Sequence, residues 1–80
     1  MVNFEQYGWR QVNENLRSQT INSKNFTLRQ DGNIWLFNYI GNVNGPLGKF
    51  EGDMDNETLE EMKYIMLNVS SNNYQSKSWF

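Results

Sequence analysis

The sequence predicts an α+β fold: one small domain in the order helix, three-stranded antiparallel sheet, helix (αβββα), with both helices on one face of the sheet. Three observations lead there. Apolar residues recur every four positions near the N-terminus, two strand-like runs flank Asp31-Gly32, and a second helical period begins behind Asp55. Eighty residues suffice for one domain with a thin core. That domain takes in residues 1–80, with a polar tail from about 71.

The first element is "VNFEQYGWRQVNENLR". Asn3 followed by Gln6 is a capping-box pattern, and Val2 with Tyr7 fits a hydrophobic staple. Phe4, Gly8, Val12 and Leu16 then fall on one helical face. Gly8 on that inner face implies close approach to the sheet. "SQTINSKN" reads as a polar connector.

"FTLRQDGNIWLFNYIGN" reads as a hairpin turning at Asp31-Gly32. A two-residue type I′ loop puts Phe26 and Leu28 on one face with Trp35, Phe37 and Tyr39. A G1 bulge at Gly32 shifts the pairing by one residue. It gathers Phe26, Leu28, Ile34, Leu36 and Ile40 into an aliphatic core. Thr27, Arg29, Trp35, Phe37 and Tyr39 are then left on the far face. The bulge gives the cleaner core and is the favoured register.

"GNVNGPLG" is dense in turn formers, and "GKFEGDM" reads as a short edge strand. In "MDNETLEEMKYIMLNVS", Asp55 is the N-cap and Glu57 lies in the positive first turn. Met54 and Leu59 form a second staple. Leu59, Met62, Ile65, Met66 and Val69 fall on one side, with Glu57, Glu60 and Glu61 away from it. The tail "SNNYQSKSWF" is polar except for Tyr74, Trp79 and Phe80.

Composition narrows the chemistry. With no cysteine and no histidine, disulfides, thiolate metal sites and imidazole bases are excluded. "GNVNGPLG" lacks the Gly-Lys-Ser/Thr ending of a phosphate loop. Asp53, Asp55 and Glu57 alternate as in a calcium loop, yet Thr58 and Tyr64 stand where Gly and Glu are needed. The expectation is therefore a non-enzyme without cofactor or metal. No basic start with an apolar stretch opens the chain, and no apolar run reaches membrane-spanning length. The expected location is the cytoplasm, and the sequons at Asn25, Asn56 and Asn68 read as chance. Thirteen asparagines and no alanine suit a low-GC bacterium or its phage.

The net charge of −2 conceals an uneven distribution. Residues 1–30 hold Arg10, Arg17, Lys24 and Arg29 against Glu5 and Glu14. Residues 51–61 hold Glu51, Asp53, Asp55, Glu57, Glu60 and Glu61 and no basic residue. Phosphate contacts draw on Lys and Arg, so direct nucleic-acid contact is disfavoured at this run. An acidic patch instead suits a protein partner with a basic surface.

The helix–three strands–helix order resembles the double-stranded RNA-binding domain. That family carries a basic cluster at the start of its last helix, where this chain has "DNETLEE", so RNA binding does not transfer. In size, acidity and lack of cysteine the chain is also similar to small phage-encoded inhibitors of host defence, such as anti-CRISPR proteins.

The functional expectation is a non-enzymatic protein-binding module, a small phage or mobile-element inhibitor of a host protein. Its contact residues would be the six carboxylates together with Trp35, Phe37 and Tyr39. Two alternatives stay open: a single-stranded nucleic-acid binder stacking bases on Trp35, Phe37 and Tyr39 beside Arg29, and a structural subunit that oligomerises through the same face.

Overall fold

A computed structural model describes residues 1–71 of the chain. Among the described residues the architecture is five antiparallel strands followed by one helix, in place of three strands between two helices. The elements are β1 (Arg10–Asn13), β2 (Leu16–Ile21), β3 (Lys24–Asp31), β4 (Ile34–Tyr39), β5 (Gly48–Glu51) and α1 (Asn56–Val69). The strands form a meander, each pairing with its sequence neighbour in the order β1-β2-β3-β4-β5. The resemblance to the double-stranded RNA-binding domain lapses with the first helix.

The expected N-terminal helix is a single 3-10 turn, Glu5–Tyr7. The Asn3–Gln6 pair does form: Asn3 Nδ2 donates to Gln6 Oε1 (3.0 Å) and Gln6 N donates to Asn3 Oδ1 (3.4 Å). The turn stops at Gly8, whose φ of +92° is open to glycine and strained for other residues. Trp9 then enters the core and Arg10 begins β1. Val12, expected on an inner helical face, bulges out of the β1–β2 pairing and is 56% exposed.

The expected polar connector is a strand and a turn. Ile21 pairs with Lys24, which leaves Asn22-Ser23 as a two-residue loop. Both loop residues have positive φ, 51° and 70°, as a type I′ turn requires. Along β2 the inward positions are Arg17, Gln19 and Ile21, opposite Leu28, Phe26 and Lys24. Arg17 and Gln19 lay long stems on the core side of β2, which hides an apolar alternation.

The β3–β4 register overturns the bulge. Asp31 pairs with Ile34, so the loop is Gly32-Asn33, with Gly32 at φ +65° as in a type II′ turn. Phe26 faces Tyr39, and Leu28 faces Phe37. The aromatic row therefore shares the core face with Phe26 and Leu28, while Ile34 and Leu36 stand on the remote face. β5 lies at the sheet edge against β4, as its sequence suggests.

One core results. Phe26, Leu28, Trp35 and Phe37 from the sheet meet Leu59, Met62, Met66 and Val69 from α1, with Trp9 and Met54 completing it. An α1 stripe repeating every three to four residues against an alternating sheet face is the two-layer solution for both element types. Val2, Phe4 and Tyr7 of the N-terminal arm pack on the same core. Asn56 fastens that arm: its Oδ1 accepts from Asn3 N (2.9 Å), and its Nδ2 donates to the Met1 carbonyl (3.2 Å). Tyr74, Trp79 and Phe80 and most of the polar tail lie outside the described residues.

Candidate partner-binding face on the C-terminal helix

Helix α1 starts where Asp55 takes extended backbone and its carboxylate accepts from Thr58 N at 2.8 Å. Bonds to the Thr58 backbone and then its side chain stabilise the charged form and lower the Asp55 pKa from its ordinary 3.8. Glu57 adds negative charge in the first turn, against the positive end of the helix dipole.

Burial of Leu59, Met62, Met66 and Val69 orients the helix. At 100° per residue, the direction opposite this stripe holds Glu57, Glu60, Glu61, Tyr64 and Leu67. All five are exposed, and Tyr64 and Leu67 remain 66% and 48% accessible. The outer face therefore runs from three carboxylates in its first half to a tyrosine and a leucine in its second. Lys63 is the first basic residue after the acidic run.

The six expected carboxylates do not form one patch. Glu57, Glu60 and Glu61 share the outer face of α1, and Asp53 and Asp55 lie exposed just before it. Glu51 pairs with Ile34 on the sheet face remote from α1. It is separated because alternate strand residues point to opposite faces.

The aromatic contacts expected on an open face are inside. Trp35 is 6% exposed and donates its indole N–H to the Gly52 carbonyl at 3.0 Å. Phe37 is fully buried, edge-on to Trp9 (ring centroids 6.1 Å) and stacked with Phe26 (6.3 Å). Tyr39 is half-buried, edge-on to Phe26, with Lys24 Nζ 4.7 Å from its ring. Arg29 stands on the other side of the sheet, because its partner Leu36 does. Trp35 and Phe37 thus have no free ring face to stack a base or anchor a partner. Tyr64 and Leu67 are the exposed large apolar residues of this helix, and the sequence expectation did not include them. Projecting the helix from its core stripe places both beside the glutamates, so the signal was present.

Among the described residues, no group of three or more Asp and Glu side chains is arranged to hold a metal ion. No helix among them is long and apolar enough to cross a membrane. The chain has no significant match among protein-family models, curated proteins or solved structures.

Proposed function

We propose that the protein is a non-enzymatic binding module that docks the outer face of α1 on a basic surface of a protein partner in the cytoplasm. The observation that carries this reading is the continuity of Glu57, Glu60 and Glu61 with the exposed Tyr64 and Leu67 on one helical face. A desolvated aromatic supplies most of the affinity at such contacts, while surrounding charges steer encounter and select the partner. The similarity in size and charge to phage inhibitors of host defence makes a host protein with a nucleic-acid-binding surface the partner class of this proposal.

The test is affinity capture from lysate of a low-GC bacterium, with the full chain and a Glu57→Lys, Glu60→Lys, Glu61→Lys variant as baits. The wild type should retain a basic protein, released by salt, that the variant loses. Tyr64→Ala should weaken the same capture at every salt concentration. Equal retention by all three baits, with the same salt dependence, would show that this face is only solvated.

A further inference from the structure

Strand β4 is apolar on both sides. Trp35 and Phe37 face α1, while Ile34 and Leu36 face the opposite way. An antiparallel sheet with one solvated face ordinarily turns polar residues outward. Here Ile34, Leu36 and, from β2, Leu16 are half-buried on a face that no helix or second sheet covers among the described residues.

The strand register arranges charge around these aliphatic residues in two rows. Asp31, Ile34 and Glu51 lie side by side across β3, β4 and β5. Two residues along each strand, Arg29, Leu36 and Lys49 do the same. One row is therefore acid, isoleucine, acid, and the next, about 7 Å away, is base, leucine, base. All four charged residues are exposed, and none makes an ion pair among the described residues. The row beyond, Ser18, Thr27 and Asn38, carries charge only at its β1 end, on Arg10.

This pattern is complementary to itself. When two copies meet face to face, the two-fold axis that relates them lies between the sheets. An axis running across the strands, midway between the rows, lays the acidic row of each copy over the basic row of the other. Asp31 then meets the partner's Arg29, Glu51 meets the partner's Lys49 and Ile34 meets the partner's Leu36, each contact occurring twice. An axis running along β4 instead sets Asp31 against the partner's Glu51 and Arg29 against the partner's Lys49, all like charges. Packed sheets lie about 10 Å apart and about 30° from alignment. So close to the centre of the contact, that angle displaces the pairs by about 3 Å, within the reach of Arg, Lys and Glu side chains.

We infer that the protein forms a symmetric dimer through the sheet face remote from α1, with the two-fold axis across the strands. Ile34 and Leu36 make its dry centre, and the ion pairs around them fix the orientation of the two copies. The outer face of α1 takes no part in this contact, so the dimer and the docking proposed above stand or fall separately.

The test is sedimentation equilibrium of the full chain from about 10 μM to 1 mM, the range of a modest contact. A monomer–dimer equilibrium is expected. Asp31→Arg should weaken dimerisation by at least about tenfold, because each copy then sets like charges against the other. Arg29→Asp should do the same. The double variant Arg29→Asp, Asp31→Arg should recover dimerisation to within about threefold of wild type, since the exchange restores opposite charges at both contacts. Far-UV circular dichroism checks that each variant is folded. Should a variant at these positions unfold, Glu51→Lys carries the same test on β5, with the same expected loss. A chain that stays monomeric up to the highest concentration overturns the inference. So does a dimer that Asp31→Arg or Glu51→Lys leaves unchanged, because its copies then meet elsewhere. Tighter dimerisation of Asp31→Arg, as the axis along β4 requires, or a folded double variant that stays monomeric, also overturns it.

Discussion

Replacing Ser23 by glycine should stabilise the protein. Ser23 closes the β2–β3 hairpin at φ +70°, and its neighbour Asn22 stands at +51°. A left-handed conformation costs an L-residue roughly 1–2 kcal/mol, less for asparagine, which tolerates it. Glycine removes that strain but gives back about 0.5–1 kcal/mol of chain entropy. Ser23 is exposed, and its hydroxyl makes no hydrogen bond among the described residues, so nothing else is lost. Mid-range values leave a net gain of about 0.75 kcal/mol. For a domain of this size each kcal/mol moves Tm by roughly 4–8 °C, so Ser23→Gly should melt about 3–6 °C higher. Thermal unfolding followed by far-UV circular dichroism reads this directly. Ser23→Pro is the companion, since proline fixes φ near −65° and should lower Tm sharply. If the glycine variant melts at or below wild type, Asn22-Ser23 does not form this turn and β2 is misplaced.

Three further substitutions probe the rest of the fold. Phe37→Ala should cost about 3–5 kcal/mol, a large share of the roughly 4–12 kcal/mol expected for a chain of this length. Its urea midpoint should fall by at least about 1 M, and a midpoint near wild type would contradict burial of the aromatic row. Gly8→Ala would place a Cβ 2.6 Å from Gln19 Oε1 in a backbone conformation strained for alanine. It should disrupt the bond from Gln19 Nε2 to the Tyr7 carbonyl (3.0 Å) and cost roughly 1–3 kcal/mol by the same urea measurement. Asp55 has a folded-state pKa below its ordinary value. Its contribution is thus present above that value and lost as pH falls through the lower, folded one. Asp55→Asn keeps a capping acceptor without the charge, so its Tm should fall less steeply than that of wild type from about pH 5 to pH 2. Parallel curves would show that the cap does not titrate with folding.

The legible part of this sequence is the part where local chemistry and burial agree. In α1 the cap, the acidic first turn, the staple of Met54 and Leu59 and the apolar period all indicate one helix, and all are present. The hairpin around Gly32 and the edge strand at Gly48–Glu51 carried comparable signals. The N-terminal third did not. Phe4, Gly8, Val12 and Leu16 have helical spacing by coincidence, while the capping pair Asn3–Gln6 closes a single turn. The strand that follows hides its period because Arg17 and Gln19 fill its inward positions. The register was a separate difficulty. Aliphatic residues on one face of β4 and aromatics on the other are both apolar enough for a core, so only the turn decides between them. Gly32-Asn33 places the aromatics inside and removes Trp35 and Phe37 from any contact surface.

The meander topology also sets the order in which the chain can complete itself during synthesis. Each strand finds its partner one short turn earlier in the chain, so the sheet can assemble progressively as it emerges. Helix α1 comes after all five strands, yet it covers Phe26, Leu28 and Phe37. At a translation rate of about 5–20 residues per second, the finished sheet waits on the order of seconds for its cover. Through that interval the aromatic face lacks the helix and has the N-terminal arm and Leu47 as cover. The nascent chain is therefore most open to chaperones, and to its neighbours on the same message, just before α1 leaves the ribosome.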